Sequence, residues 1–120
     1  MREIVSGNPN VTISIGDEPG QGGACHEYYL SAKVGRDDTP AGEYGHVKFQ
    51  NGPIKEMGVN GCHQEDLLAI VIDRLESFQA GNFACRENAL ALTKCQEALQ
   101  WLDHRTRNRQ VRGVEGKNEI

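Results

Sequence analysis

Residues 66–111 read DLLAIVIDRLESFQAGNFACRENALALTKCQEALQWLDHRTRNRQV, and this stretch decides the fold. Apolar residues recur in it at intervals of three and four, which is the period of an amphipathic α-helix. The pattern predicts one helix over 63–79 and a second over 83–111. Because the connection between them is short, we expect the two helices to pack as an antiparallel hairpin.

Capping chemistry predicts where the two helices begin and end. Acidic Glu65 and Asp66 favour the start of the first helix through its dipole. Gly81 is expected to end that helix in the left-handed conformation, and Asn82 is expected to cap the second helix. Gly113 is expected to end the second helix.

The second predicted helix, about 40 Å long at 1.5 Å per residue, carries two apolar faces. The first face has a 3.5-residue spacing typical of helix–helix contacts. It comprises Cys85, Leu92, Cys95, Leu99 and Leu102, and the same spacing also falls on Asn88, Thr106 and Arg109. The second face holds Leu90, Ala98 and Trp101. Two interpretations of the second face have equal weight: it packs on a second chain, or it covers a sheet.

The first half of the chain has a different pattern, with alternating apolar residues between glycine-rich segments. This alternation predicts strands over 11–15 and 27–34 and a third strand through Val47 and Phe49. A last short strand is predicted through Ile54, Met57 and Val59. The intervening segments 16–23 and 35–45 are expected to be loops, the second of them mobile, and both are candidate lids.

These patterns predict an α+β fold in one compact unit. A small N-terminal antiparallel sheet over 1–60 precedes a long two-helix hairpin over 61–120. The sheet would be marginal alone, and a chain of 120 residues buries little surface per residue. We therefore expect assembly into a dimer or a higher oligomer.

Composition excludes several functional classes. The net charge of −4 argues against a general DNA- or RNA-binding protein, which is usually basic. No apolar run reaches the roughly 18 residues that a membrane span needs, and residues 1–10 lack the apolar core of a signal peptide. We expect a cytosolic protein with no membrane or DNA partner.

The sequence shows no catalytic or metal-binding motif. The four cysteines, at 25, 62, 85 and 95, form no C-x-x-C pair and are expected to be reduced, buried thiols rather than zinc ligands. His104 lies beside Asp103, but neighbouring side chains on a helix diverge. We therefore expect neither an enzyme nor a bound cofactor or metal.

Arginines cluster at the end of the second helix, at positions 105, 107, 109 and 112. Arg105 and Arg109 are four residues apart and share a face, and Arg112 follows three residues later. Planar guanidinium groups suit phosphate, so a phosphate-bearing small molecule is one interpretation. The other is that these residues complement the helix dipole and form surface ion pairs.

The segment from Gly52 to Gly116 resembles a family of phage proteins that antagonise bacterial signalling immunity. The resemblance rests on GPIKE, GVNG, DLLAIVIDRL, FACREN, EALQWL, HRTRNR and RGVEG. The family comprises the type 1 Thoeris anti-defence proteins, which share a helical hairpin with anti-CBASS sponge proteins. A sheet before the hairpin favours the Thoeris branch.

The resemblance implies a sponge that acts in the host cytoplasm and holds a cyclic nucleotide signal without cleaving it. The implied ligand is glycocyclic ADP-ribose made by a TIR enzyme, and some members are hexamers that also hold cyclic trinucleotides. The residues that match the family's ADP-ribose contacts are Phe78, Asn88, Arg105 and Arg109. Arg86 is the candidate contact for a cyclic trinucleotide.

Helix geometry constrains that site. Asn88 and Arg105 are separated by about 25 Å of helix, so one ligand can touch both only if two chains share it. An antiparallel dimer would place the turn end of one hairpin beside the arginine end of its partner. Phe78 would then stack on adenine, Asn88 would hydrogen-bond ribose or base, and Arg105 and Arg109 would clamp the diphosphate.

Each assignment has a structural alternative. Phe78 could be a core residue, Asn88 a polar residue that sets helix register, and Arg86 an ion-pair partner. For the whole chain, the alternative is a non-enzymatic hairpin that docks a protein through its second apolar face.

Overall fold

The computed structural model describes residues 3–33 and 42–115. The strands are β1 (Glu3–Ile4), β2 (Val11–Ile15), β3 (Glu27–Ala32) and β4 (Glu43–Lys48). The helices are α1 (Ile54–Met57), α2 (Gln64–Ala80) and α3 (Arg86–Arg112). The chain divides into two compact units, Met1–Cys62 and His63–Ile120.

The first unit is a four-stranded antiparallel sheet in which the strands follow one another in the order β1-β2-β3-β4. In the register, Ile13 pairs with Leu30, and Leu30 pairs with Gly45. An irregularity between Leu30 and Ser31 shifts the pairing of β3 with β4. The predicted α+β fold with an N-terminal antiparallel sheet is confirmed, and the two-residue strand β1 was not predicted.

The loop between β2 and β3 is held by one carboxylate. Both oxygens of Asp17 accept the backbone N–H of His26 at 3.0 Å, and one of them also accepts the N–H of Glu27 at 3.0 Å. Desolvation, which would raise the pKa of Asp17, is outweighed by these hydrogen bonds and the nearby His26 side chain, so the pKa lies below its ordinary value of 3.8. These hydrogen bonds join the start of the loop, at Asp17, to its end, at His26 and Glu27.

Two predictions in the first unit need correction. Residues 54–57 form the short helix α1 and not a strand, because Pro53 accepts the N–H of Met57 at 2.7 Å and Gly58 closes the turn with φ 73°. The predicted loop 35–45 overlaps β4, because its last three residues, 43–45, belong to that strand. Residues 34–41 lie outside the described part of the chain, so its predicted mobility is untested.

The second unit is the predicted helical hairpin, with α2 packed against α3. The bounds Gln64–Ala80 and Arg86–Arg112 agree with the predicted 63–79 and 83–111 to within three residues. At the start of α2, the Asp66 carboxylate accepts the backbone N–H of His63 at 2.9 Å. Gly113 ends α3 as predicted, in the left-handed conformation with φ 75°.

The connection between α2 and α3 differs from the prediction. Gly81 is extended, with φ −112° and ψ −160°, and not left-handed. Cys85, rather than Asn82, caps α3, and its thiol accepts the N–H of Asn88 at 3.4 Å. The side chain of Gln79 accepts the N–H of Cys85 at 3.0 Å, so side chains and not glycine geometry close this turn.

The stripe predicted on α3 is its least exposed face. Its partly or fully buried members recur at intervals of four and three: Asn88, Leu92, Cys95, Leu99, Leu102, Thr106 and Arg109. On α2, Leu68, Ile72 and Leu75 have the matching spacing, and Ile72 is buried. Leu90 and Trp101 of the second face remain exposed in the single chain, at 45% and 72%.

None of the helices in the described residues is long and apolar enough to cross a membrane.

Because Gly113 is left-handed, we expect its replacement to destabilise the fold. Gly113→Ala should lower the free energy of unfolding by about 1 kcal/mol, because an alanine Cβ is strained at positive φ. Gly81→Ala is the matched control, since a Cβ there would meet its nearest atom at an ordinary 3.5 Å. Urea denaturation followed by circular dichroism measures both variants, and equal losses would contradict the assignment of strain to Gly113.

Candidate functional site

The predicted ligand residues lie at both ends of the hairpin. Phe78 is in the last turn of α2 and Asn88 is in the first turn of α3, on either side of the connection. Arg105 and Arg109 lie in the last two turns of α3. The structure therefore brings Phe78 and Asn88 to one end, which we call the turn end, and the two arginines to the other, the arginine end.

At the turn end, Phe78 is an exposed aromatic side chain, with 37% of its surface accessible. The guanidinium of Arg74, one turn earlier on α2, lies 5.3 Å from the centre of its ring. Part of the Phe78 side chain is therefore accessible to solvent, while the guanidinium of Arg74 lies over its ring.

Asn88 and Arg86 begin α3 in different environments. Asn88 is half-buried on the stripe, and its backbone N–H is bound by the cap residue Cys85. Arg86 is exposed in the first turn of α3. That position provides unsatisfied backbone N–H groups which favour an anion. Asn88 therefore takes part in helix packing and Arg86 does not, and the ligand role of each stays a prediction.

At the arginine end, Arg105 and Arg109 differ sharply in burial. Arg105 is exposed, and no carboxylate among the described residues lies within 4.0 Å of its guanidinium. Arg109 is only 7% exposed. Its Nη2 donates to the Val114 carbonyl at 2.9 Å, and its Nε donates to Glu115 Oε2 at 3.1 Å. In the single chain, a carboxylate thus occupies the position where a phosphate would bind Arg109.

The Arg109–Glu115 pair was not predicted from the sequence. Gly113 turns the chain back after α3, and the N–H of Val114 then bonds to the Arg109 carbonyl at 3.0 Å. This turn brings the carboxylate of Glu115, six residues later in sequence, into contact with the guanidinium of Arg109. The sequence signal that could have indicated this pair is an acidic residue, Glu115, just after the glycine that ends α3.

The remaining arginines, Arg107 and Arg112, both have interactions with other residues of the chain. Arg107 makes an exposed ion pair with Asp103, whose Oδ2 is 3.0 Å from its Nε. Arg112 is exposed and has contacts of its own. The prediction of surface ion pairs therefore holds for Arg107, while Arg105 remains available to an anionic ligand.

The two ends of the hairpin are too far apart for one ligand. Seventeen positions separate Asn88 from Arg105 along α3, which corresponds to about 25 Å. α3 has 27 residues and α2 has 17. The arginine end therefore belongs to the part of α3 that extends past the length of α2.

In the described residues, no three histidine, cysteine or acidic side chains form a group that could hold a metal ion. The four cysteines are free thiols, and only Cys25 is buried. The expectation of four buried thiols is therefore wrong for the other three. Cys85 in particular is exposed because it caps α3 from outside the stripe.

Comparison with known proteins identifies the family. The model of the Acb2/Tad1 hairpin domain matches residues 43–107, which is more than half of the chain. The chain belongs to this family. The match runs from β4 through most of α3, so it includes Phe78, Arg86, Asn88 and Arg105 and ends two residues before Arg109.

A relative supports the same assignment. Over 79 residues, or 66% of the chain, the sequence is 56% identical to Thoeris anti-defense 1 of Bacillus phage SBSphiJ7. The matched part spans 56% of the length of that relative. The resemblance to the type 1 Thoeris anti-defence family, with its shared hairpin domain, is thereby confirmed.

We expect a measurable energetic coupling between the buried Arg109 and Glu115. In a double-mutant cycle of Arg109→Ala and Glu115→Ala, we expect a coupling energy of about 1 kcal/mol, because the pair is partly shielded from water. The exposed pair Asp103–Arg107 is the control and should give about 0.3 kcal/mol. Urea denaturation of the two sets of variants measures both values. A coupling no larger than that of the control would show that the Arg109 contact does not stabilise the fold.

Proposed function

We propose that this protein is a phage anti-defence sponge that binds glycocyclic ADP-ribose and holds it without cleavage. Membership of the Acb2/Tad1 hairpin family supports an anti-defence role. The observation that carries the ligand assignment is the division of the hairpin into an exposed aromatic at one end and an available arginine at the other. Base and diphosphate, the two recognition elements of the ligand, correspond to these two ends.

The proposed binding unit is an antiparallel dimer. Its twofold axis would bring the turn end of each hairpin beside the arginine end of its partner and create two equivalent sites. Exposed apolar residues are available on both helices for the contact between chains. They comprise Ile70 and Val71 on α2 and Leu90 and Trp101 on α3. A trimer of such dimers is the proposed larger assembly.

Each ligand residue has a proposed chemical role. Phe78 stacks on adenine, and Asn88 hydrogen-bonds ribose or base with its amide. Arg105 binds the diphosphate directly, because its guanidinium is exposed and unpaired with carboxylate. Arg109 binds it by exchanging the carboxylate of Glu115 for phosphate oxygens. Arg86, at the exposed start of α3, is proposed for a cyclic trinucleotide at a separate pocket.

Sequestration sets an affinity requirement. A sponge in the host cytoplasm must compete with the immune effector, so its dissociation constant should be nanomolar, or about 12 kcal/mol of binding free energy. Charge-assisted hydrogen bonds to phosphate and base stacking on Phe78 are interactions of the necessary strength. No chemical step is needed, which agrees with the proposal that the protein is not an enzyme.

The exposed apolar residues support a second candidate function. A hairpin that docks a protein partner would also use Leu90 and Trp101, which are 45% and 72% exposed. This candidate requires no nucleotide and gives the arginine end no role in binding. The two candidate functions therefore differ in whether the protein should bind the cyclic nucleotide.

Calorimetric titration with glycocyclic ADP-ribose tests the sponge. We expect saturable nanomolar binding, and at least tenfold weaker binding by Arg105→Ala, which removes a charge-assisted contact. Arg107→Ala is the matched control, because Arg107 is bound to Asp103, and it should bind as the wild type does. Intact ligand should be recovered after denaturation. Breakdown products would indicate an enzyme, and absence of binding would favour the protein-docking candidate.

Mixing two inactive variants tests the shared site. Asn88→Ala and Arg105→Ala should each bind poorly alone, since each damages both sites of its own dimer. After exchange of subunits, about half of the dimers are mixed and each has one intact site, so about a quarter of all sites should recover. No recovery, despite subunit exchange shown by native mass spectrometry, would place the whole site within one chain.

A further inference from the structure

Arg74 is the only basic residue of α2. The helix also contains four acidic residues, Glu65, Asp66, Asp73 and Glu76. Despite these, no carboxylate in the described part of the chain lies within 4.0 Å of the Arg74 guanidinium. Instead, the guanidinium carbon of Arg74 lies over the ring of Phe78, 5.3 Å from the ring centre. An arginine in an acidic helix is therefore held by an aromatic ring and not by an ion pair.

Arg107 and Arg109 show the contrasting arrangement. Each has a carboxylate oxygen 3.0 to 3.1 Å from its Nε. Arg74 is exposed, and a cation over an exposed aromatic ring is held only weakly. Its guanidinium can therefore leave the ring at little cost, whereas a ligand that recruits Arg109 must replace a carboxylate.

We propose that Arg74 is a further ligand-binding residue, whose guanidinium stacks on the outer face of a base bound to Phe78. The inference rests on the proposed function, which assigns adenine to Phe78. The space over the ring that the guanidinium occupies is the space a stacked base requires. When the base enters, Arg74 moves to its far face and encloses it between ring and guanidinium.

The chemistry of both groups supports this arrangement. A base has two π-faces, and planar guanidinium stacks on such faces while it carries a full positive charge. Arg74 would add this charge at the turn end, about 25 Å along the hairpin from the arginine end of the same chain. It would thereby select ligands that combine a purine base with an anionic group.

Affinities of two Arg74 variants test the proposal. By calorimetry with glycocyclic ADP-ribose, Arg74→Ala should bind about tenfold more weakly than the wild type, because it loses both charge and stacking. Arg74→Lys should lose most of the same affinity, since lysine keeps the charge but has no planar group. Arg107→Ala, an exposed arginine held by Asp103, is the matched control and should be unchanged.

The outcomes separate this inference from the function on which it rests. If the wild type binds and Arg74→Ala binds equally well, Arg74 does not contact the ligand and the inference is wrong. Full affinity in Arg74→Lys would overturn the stacking geometry. If the wild type does not bind glycocyclic ADP-ribose, the proposed function itself is wrong. Thermal melting of each variant confirms that a loss of affinity reflects the contact and not unfolding.

Discussion

The packing of α2 against α3 along a 3.5-residue stripe is the contact on which the second unit depends. Leu92, Cys95, Leu99 and Leu102 form its apolar centre, and Ile72 is the most buried residue opposite them on α2. The contact is made by one continuous helix, α3, whose rise per residue is nearly constant. The distance between two positions on α3 is therefore set by the number of residues between them. The separation of the two candidate binding groups follows directly from it, as does the need for a second chain to complete the proposed site.

The two long helices were predictable because many apolar residues repeat the same three- and four-residue spacing. The ends of the helices were less predictable, because each end depends on a few specific contacts. The turn after α2 is closed by Gln79 and Cys85 side chains, which residue preferences for Gly81 and Asn82 do not reveal. Residues 54–57 fold as a helix because Pro53 and Gly58 impose a single turn, where apolar spacing alone resembled a strand.

The places of the candidate residues on the two helices were predictable from the sequence, but the contacts of their side chains were not. Family resemblance, and not spacing, supplied Phe78, Asn88, Arg105 and Arg109, and α3 then determined how far apart they are. The partners of these residues depend on side-chain conformation, which no sequence pattern encodes. Glu115 reaches Arg109 only after the chain reverses at Gly113, and Arg74 lies over Phe78 although acidic residues flank it in sequence.

The stripe on α3 also has an evolutionary consequence, because Asn88 and Arg109 lie on it together with the packing residues. Under the proposed function, substitution at either position would change ligand contacts as well as helix packing, so each position is under two separate constraints. Phe78 and Arg105 are exposed and carry no such second constraint. If the proposed ligand contacts hold, a phage that meets a host with an altered signal would adapt through these two positions while the hairpin is preserved. Relatives that bind different signals should accordingly vary most at the exposed positions and least along the stripe.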